Sequence, residues 1–331
     1  MTSTTSTGSP AAAQRSTRAA VIDAFGGPEL LHISAMPLPV PSASQVQLEV
    51  AAIAVNAVDL QTRSGRAIPV ADARFPMVLG WDVAGTVAAV GEDVTGWQVG
   101  DRAAAMVFQP KDQHGTYAER INLDAGLLSR VPDELSLERA ATVPLAGLTA
   151  TQLLDLAHIG DVRTLLVNAP LGAVGRGVLV LAVAAGVEVI AVARVEQADQ
   201  LRDLGAALAV ERGDYTAKVR QHYPNGVDAA IDLVGGAAAH TAFDLVRDGG
   251  RYVTSVPPNI DPDGPFDAGR GIPVQLLVVA PNPAQLTGLL GQAAAGALGT
   301  TIEQTYPLEQ AADAHQHQAA GHLTGRIVLI P

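Results

Sequence analysis

The clearest candidates for a functional role follow a short apolar run, Thr164 to Asn168, in the middle of the chain. A turn containing proline and glycine comes next, followed by a stretch of small and apolar residues and a second β-branched run at residues 187–192. This pattern predicts a strand, a tight turn, a helix and a parallel strand. Such a turn places unpaired backbone N–H groups and the positive end of a helix dipole where glycines let a ligand approach, which favours a pyrophosphate group.

The turn departs from the usual dinucleotide-binding pattern at its first glycine. Ala169 and Pro170 stand in that place, and proline has no N–H to offer a phosphate. Taken alone, the motif is therefore a weak indication of a dinucleotide site. Four residues of the turn are predicted to bind the cofactor: Gly172, Ala173, Val174 and Gly175.

The end of the second strand indicates which dinucleotide is bound. In NAD-binding versions an acidic side chain about 20 residues after the glycines binds the ribose 2′-hydroxyl, whereas a nearby arginine accepts a 2′-phosphate. Here the strand ends in Ala193 and Arg194. Because no carboxylate repels the phosphate and a guanidinium suits it, the sequence favours NADPH over NADH. Two alternatives stay open: Arg194 is a solvated surface residue, or the phosphate partner is Arg212 or Arg251.

The composition excludes several classes of function. The chain has 331 residues, 48% of them apolar and 16% charged, which predicts a globular protein of about two domains. A net charge of −12 argues against a nucleic-acid or anionic-membrane surface, and no apolar run long enough to span a membrane is expected. The absence of cysteine removes disulfides and thiol catalysis. The cytoplasm is the default location, and abundant alanine beside only two lysines is typical of a GC-rich bacterial genome.

The elements that must position these residues follow from changes of pattern along the chain. Residues 1–18 are rich in Ser, Thr and Ala without the apolar stretch of a signal peptide, and they are expected to form a disordered tail. From Ala19 to about Asp124, short β-branched runs between Gly, Pro and Asp predict a barrel-like β domain with one helix at residues 57–64. From about Leu135, helices and strands alternate.

Six predicted strands in this second part supply the number that a dinucleotide-binding sheet needs. They are residues 164–168, 187–192, 207–210, 227–234, 250–255 and 274–279. Helices are predicted at residues 136–141, 147–157, 284–295 and 308–320, with further strands at 301–304 and 326–330.

Many segments together resemble one protein family and occur in its order. They include FGGPELL (25–31), VNAVDLQTRSG (55–65), PMVLGWDVAGTVAAVGEDVTGWQVGDR (76–102), GTYAERI (115–121), GAVGRG (172–177), VDAAIDLVGG (227–236) and TGRIVLIP (324–331). On these segments the chain resembles the medium-chain dehydrogenase/reductase superfamily, in its zinc-free quinone oxidoreductase branch. The resemblance implies an α/β fold: a GroES-like β-barrel domain, residues 19–137 with a return at 283–331, and a Rossmann domain with a doubly wound parallel sheet, residues 138–282. The active site would lie in the cleft between them.

Zinc chemistry is disfavoured by residue type. Zinc-dependent relatives hold the catalytic ion with two cysteines and a histidine, and the matching positions here are Asn56, Trp81 and Leu145. None of these is a normal zinc ligand. The eight histidines, including the pair His315 and His317, are interpreted as surface residues.

The resemblance also implies which residues form the site. Asn56 and Asp59 would be catalytic, with Asn56 donating to a carboxamide or a substrate carbonyl, although both residue types are also favoured at a helix start. The implied substrate pocket is Val58, Gln61, Trp81 and Val256. The implied cofactor contacts beyond the turn and Arg194 are Thr149, Asp232 and Gly235, and the alternative for Thr149 is a hydroxyl bonded within its own helix. Relatives often carry a tyrosine where this chain has Gln61 or Ala67, so solvent or another group would supply the proton.

These features predict a function and an assembly. We expect NADPH-dependent reduction of a quinone or of the C=C bond of an α,β-unsaturated carbonyl, without zinc. The alternative is an NADPH-binding sensor or scaffold with little turnover. Relatives are commonly homodimers, and the apolar run at residues 274–279 would be hazardous as an exposed sheet edge, so pairing with a second copy is expected.

Overall fold

The computed structural model describes residues 15–67, 70–213, 215–256, 266, 268–299 and 301–331. The N-terminal part is a β domain. Its strands are β1 (Ser16–Ile22), β2 (His32–Pro37), β3 (Gln45–Ala54), β4 (Met77–Val78), β5 (Asp82–Val90), β6 (Arg102–Met106), β7 (Arg120–Asp124) and β8 (Ser129–Arg130). Its helices are α1 (Ala57–Arg63) and the short α2 (Gln109–Asp112).

The middle of the chain alternates helices and parallel strands. In order, these are α3 (Leu137–Ala141), α4 (Pro144–Leu156), β9 (Thr164–Asn168), α5 (Ala173–Ala184), β10 (Glu188–Ala193), α6 (Ala198–Asp203), β11 (Leu208–Glu211), α7 (Thr216–His222), β12 (Val227–Asp232), α8 (Ala237–Leu245), β13 (Val246–Thr254) and β14 (Val274–Leu276). The strands form one parallel sheet in the order β11-β10-β9-β12-β13-β14. The order reverses direction beside β9, where open α/β sheets bind ligands. The predicted Rossmann sheet of six strands is confirmed.

The last segment returns to the β domain. It contains α9 (Pro283–Ala294), β15 (Ile302–Pro307), α10 (Ala311–Ala320) and β16 (Arg326–Ile330). β16 pairs antiparallel with β3, with Val328 opposite Ala54, so the larger sheet runs β15-β16-β3-β5-β6-β8 with β7 also on β3. A smaller sheet, β2-β1-β4, packs beside it. The β3–β16 register brings the start of β16 next to the start of α1.

Apolar packing holds the two domains together. The β domain has its own core, and apolar clusters cover the two faces of the parallel sheet. A further cluster joins the domains, because Ala84 and Ala104 of the barrel pack with Leu145 and Leu148 of α4 and with Leu289 of α9. Small side chains on β5 and β6 let these helices lie close to the barrel. Val143 and Leu298 of this cluster also line a cleft between the domains.

Several element ends differ from the prediction for a local reason. β1 begins at Ser16, inside the expected tail, because it pairs with β2 from Ser16 opposite Pro37 onward; residues 1–14 of that tail lie outside the described residues. β14 is shorter than the run at 274–279, because β13 offers it only Tyr252 to Thr254 as partners. The domain boundaries remain a prediction. Across the described ranges, no helix has the length and apolar character needed to cross a membrane.

Candidate active site

A cleft of about 310 Å³ lies where the two domains meet. Its walls come from the start of α4, the turn between β9 and α5, the ends of β10 and β11, and the loop at residues 321–325 between α10 and β16. The carboxyl ends of the parallel strands therefore open into it, which is the usual ligand position in such sheets.

The cleft has the opposite charge to the rest of the molecule. Four arginines line it: Arg176, Arg194, Arg212 and Arg326. No carboxylate is found among the described residues of its wall, although the chain carries a net charge of −12. A cleft with low-dielectric walls and one sign of charge concentrates ligands of the other sign. The site is therefore built for an anion.

The turn between β9 and α5 supplies the narrow part of the cleft. Ala169 occupies the place of the missing first glycine with a φ of 55°, a left-handed conformation that favours glycine. Gly172 is the N-cap residue of α5, and it and Ala173 line the cleft. A Cβ on Gly175 would lie 2.1 Å from the Ala169 carbonyl oxygen, so this glycine permits close packing of helix on turn. Val174 is partly buried and packs against the apolar cluster on one face of the sheet.

Two of the arginines follow adjacent strands at the same level. Ala193 pairs with Glu211 in the β10–β11 register, and the Arg212 N–H donates to the Ala193 carbonyl at 2.9 Å. Arg194 and Arg212 are therefore neighbours across the end of the ladder, about 4.8 Å apart in backbone spacing. Both side chains are exposed and line the cleft. Two positive charges therefore line this part of the cleft.

Asn56 lies at the start of α1, where its side chain joins three groups. Its Nδ2 donates to the Ala54 carbonyl at 3.2 Å and to Asp82 Oδ2 at 3.0 Å. Its Oδ1 accepts a hydrogen bond from Arg326 Nη2 at 2.6 Å. Both amide N–H groups are thus engaged within the protein, and the predicted donation from Asn56 to a substrate stays a prediction.

Asp82 is the centre of this network, and sequence reasoning did not single it out. The carboxylate is fully buried; Oδ1 accepts from the Leu145 N–H at 2.7 Å, and Oδ2 lies 3.7 Å from Arg326 Nη2. Burial raises the pKa of Asp82 to about 6, against the opposing effects of the Arg326 charge and the hydrogen bonds from Asn56 and Leu145. The only sequence signals were the segments that hold these residues, GWD (80–82) and TGRIVLIP (324–331).

Asp59 belongs to a second buried network behind Asn56. Its Oδ2 accepts the Asn56 backbone N–H at 2.7 Å, one half of a helix-capping arrangement, and the Tyr117 hydroxyl at 3.3 Å. The Tyr117 oxygen lies 3.0 Å from His315 Nε2. Burial raises the pKa of Asp59 to about 8. Asp59 has no exposed surface, so its carboxyl group does not reach the cleft directly and instead holds the Asn56 backbone.

The interpretation of all histidines as surface residues was wrong for His315. Its ring is fully buried on the side of α10 that faces Tyr117. Burial lowers the pKa of His315 to about 3, with the Arg63 charge acting in the same direction. The neutral ring is tolerated there because Tyr117 gives Nε2 a hydrogen-bond partner, which the helical spacing of His315 and His317 did not reveal.

The predicted substrate-pocket residues separate into two groups. Val58 and Trp81 share the apolar cluster between the domains, and the Trp81 ring meets Phe108 edge to face at 5.3 Å. Gln61 is exposed on α1. Val256 lies by the loop after β12, where a Cβ on Gly235 would approach its Cγ1 to 2.9 Å. Val58 and Trp81 therefore share one apolar cluster, and the role of all four residues in a substrate pocket stays a prediction.

The remaining predicted cofactor contacts have partners inside the protein. The Thr149 hydroxyl donates to the Leu145 carbonyl of its own helix at 2.7 Å. Asp232 is buried; it accepts from Asn168 Nδ2 and from the Gly235 N–H, both at 2.9 Å, and so braces the ends of β9 and β12. Gly235 has a φ of 79°. Their contact with a cofactor stays a prediction.

The positions that match zinc ligands do come together, but with other chemistry. Asn56 and the Leu145 N–H both bind Asp82, which follows Trp81 directly, and a guanidinium lies among them. None of the three matching residues supplies a zinc-binding side chain, and both oxygens of the one carboxylate here, Asp82, are engaged by the Leu145 N–H, Asn56 and Arg326. Zinc requires several deprotonated sulfur, nitrogen or oxygen ligands. The donor set does not fit a zinc ion.

Comparisons with known proteins agree with the fold and the segment order. A family model described as the alcohol dehydrogenase GroES-like domain matches residues 42–133, and one described as zinc-binding dehydrogenase matches residues 204–329. The chain is 30% identical over 324 residues to the chloroplastic NADPH-dependent alkenal/one oxidoreductase of Arabidopsis thaliana, covering 95% of this chain and 79% of that protein.

Two further comparisons concern a longer relative and a solved structure. The chain is 28% identical over 238 residues to the mouse synaptic vesicle membrane protein VAT-1 homolog-like, and this match spans only 55% of that protein. The solved quinone oxidoreductase of Coxiella burnetii superposes with a TM-score of 0.83 at 27% identity, covering 96% of this chain and all of that one. On the fold, the cleft and these relatives, the chain belongs to the medium-chain dehydrogenase/reductase superfamily, in its zinc-free, quinone oxidoreductase-like branch.

Proposed function

We propose that the protein is an NADPH-dependent reductase that delivers a hydride to a quinone or to the C=C bond of an α,β-unsaturated carbonyl, without zinc. The observation that carries the proposal is the arginine-lined cleft at the N-terminus of α5, beside the Asn56–Asp82–Arg326 network. The relatives support the acceptor class, because one is an NADPH-dependent alkenal/one oxidoreductase and another is a quinone oxidoreductase.

The cleft fits a phosphorylated dinucleotide on structural grounds. Gly172 and Ala173 present the start of α5 to the cleft, where unpaired N–H groups and the helix dipole favour a pyrophosphate. Arg194 and Arg212 lie together at the ends of β10 and β11, where a 2′-phosphate is expected on a nucleotide bound in this way. The preference for NADPH over NADH rests on this pair.

Bound NADPH supplies the hydride, and the protein orients and polarises the groups around it. Arg326 keeps a fixed position in the cleft wall, because Asp82 and Asn56 Oδ1 both hold its guanidinium. A fixed positive charge stabilises negative charge that develops nearby during hydride addition. Gln61 stands where relatives often have a tyrosine, and its side chain is exposed to solvent. The enolate or hydroquinone anion therefore takes its proton from solvent.

Steady-state assays test the proposal. The purified protein should oxidise NADPH with at least one member of a panel of quinones, enals and enones, and each rate should be measured with NADPH and with NADH. Tight NADPH binding with no acceptor reduced across the panel would replace the enzyme by the sensor or scaffold. Failure to bind either nucleotide would reject both.

We further propose a homodimer formed through the edge of the parallel sheet. β14 is the last strand of that sheet. Its Val274 and Leu276 are 39% and 41% exposed, and Val278 just after it is 67% exposed. An apolar edge strand exposed in this way is stabilised by pairing with a symmetry-related copy. Light scattering at micromolar concentration should give twice the chain mass, and Val278→Lys should shift the protein toward the monomer.

A further inference from the structure

A carboxylate on β15 holds the loop that forms one wall of the cleft. Glu303 Oε2 accepts the backbone N–H of Thr324 at 2.5 Å and that of Gly325 at 3.1 Å. It also accepts the Thr324 hydroxyl at 3.2 Å. Both loop residues line the cleft and directly precede Arg326. One carboxylate oxygen therefore satisfies three donors of this loop.

The other oxygen of the same carboxylate ties it to α10. Glu303 Oε1 lies 3.2 Å from His317 Nε2, and His317 Nδ1 lies 3.0 Å from the Tyr306 hydroxyl. Partial burial opposes ionisation, but the hydrogen bonds from Thr324 and Gly325 outweigh it and lower the pKa of Glu303. The carboxylate stays ionised, and its charge strengthens its hydrogen bonds to the loop.

The end of the loop, Gly325, packs tightly against the backbone at the start of β15. A Cβ on Gly325 would lie 2.8 Å from the Glu303 nitrogen and 2.9 Å from the Thr301 carbonyl oxygen. The Arg326 N–H donates to the same Thr301 carbonyl at 2.8 Å. The start of β15 thus fixes the backbone from which the Arg326 side chain reaches Asn56 and Asp82.

We propose that Glu303 is a positioning residue for cofactor binding, which holds the loop at residues 321–325 in place as one wall of the cleft. The proposal rests on the proposed function, because it takes the cleft to be the nucleotide site. Glu303 acts through the loop, so its loss should weaken nucleotide binding. Asn56 and Asp82 still hold the Arg326 guanidinium, so turnover at saturating nucleotide should stay largely intact.

Three variants separate this role from general damage. Glu303→Ala removes the acceptor, whereas Glu303→Gln keeps an oxygen that the loop donors can reach. Glu309→Ala is the matched control, since Glu309 lies in the same C-terminal segment and pairs with exposed Arg18, and it is not part of the cleft wall. Each variant is titrated with NADPH, assayed for turnover, and followed by hydrogen–deuterium exchange of the peptide covering residues 321–326.

Glu303→Ala should speed exchange of the Thr324 and Gly325 amides and weaken NADPH binding about tenfold, as expected for losing hydrogen bonds to a charged group. Its kcat at saturating NADPH should stay within about twofold of wild type, because the lost contacts are not made to the reacting atoms. Glu303→Gln should recover most of the affinity, and Glu309→Ala should match wild type in all three measurements.

Two results would overturn the proposal. One is faster amide exchange in Glu303→Ala with unchanged NADPH affinity, since the loop would then not govern the site. The other is a loss in Glu303→Gln as large as in Glu303→Ala. If wild type binds and oxidises NADPH, either result removes only this proposal. If wild type binds neither NADPH nor NADH, the proposed function fails as well.

Discussion

Removing Arg194 or Arg212 should reduce NADPH binding and spare NADH binding. The two residues follow β10 and β11 at the same level of the ladder and both line the cleft. Only NADPH carries a 2′-phosphate, so a contact with that group contributes to one nucleotide alone. The two variants, Arg194→Ala and Arg212→Ala, test whether the pair reads the phosphate.

The size of the effect follows from exposure. A hydrogen bond to a charged group contributes about 1.5–3 kcal/mol, but both side chains are exposed and solvent screens such contacts. We therefore expect each variant to lose about 1–2 kcal/mol, or roughly 5- to 30-fold in NADPH affinity. The change for NADH should be less than about twofold, and added salt should weaken NADPH binding more than NADH binding.

The assay is a titration of wild type, both single variants and the double variant with each nucleotide. Arg202→Ala is the control, since Arg202 is an exposed arginine of α6 that pairs with Asp199 and does not line the cleft. The double variant shows whether both guanidinium groups share one phosphate, because a shared partner makes the two losses non-additive. Equal losses for NADPH and NADH, or no loss for either variant, would refute the assignment.

Three further predictions concern the turn and the buried acid. Ala169→Gly should raise the free energy of unfolding by up to about 1 kcal/mol, because a φ of 55° favours glycine. Urea unfolding measures this change, and a destabilised variant would show that the left-handed backbone of Ala169 is not strained. Gly175→Ala should lower the free energy of unfolding by about 2 kcal/mol or more, since the new Cβ would lie 2.1 Å from the Ala169 carbonyl oxygen. If the variant were as stable as wild type, the turn backbone would have moved to make room for the Cβ. Asp59→Asn should gain stability relative to wild type as the pH rises from 5 to 9, by about 4 kcal/mol, which is about 1.36 kcal/mol for each of the roughly three pH units below the folded-state pKa. Burial raises the pKa of Asp59 to about 8, so the folded state holds a proton that the unfolded state releases near pH 4. The stability of wild type therefore falls as the pH rises over this range. A stability difference between variant and wild type that did not change with pH would exclude this titration.

The sequence by itself determined the elements and their order. Thr164–Asn168 and Arg326–Ile330 were predicted to the residue, because a short apolar run bounded by turn residues specifies a buried strand locally. The six-stranded sheet followed from alternation of helix and strand. The residue types at positions 56, 81 and 145 likewise excluded zinc coordination without any knowledge of distances.

The contents of the site were decided only by the tertiary structure. The Arg326–Asn56 hydrogen bond joins residues 270 positions apart, and the Tyr117–His315 contact joins residues 198 apart. Periodicity reports which face of an element is apolar, but it carries no information on which distant polar group meets another across two packed domains. The burial of His315, the grouping of four arginines in one cleft and the central place of Asp82 therefore depend on the β3–β16 register and the domain packing, because these long-range contacts set each group's partners and solvent exposure.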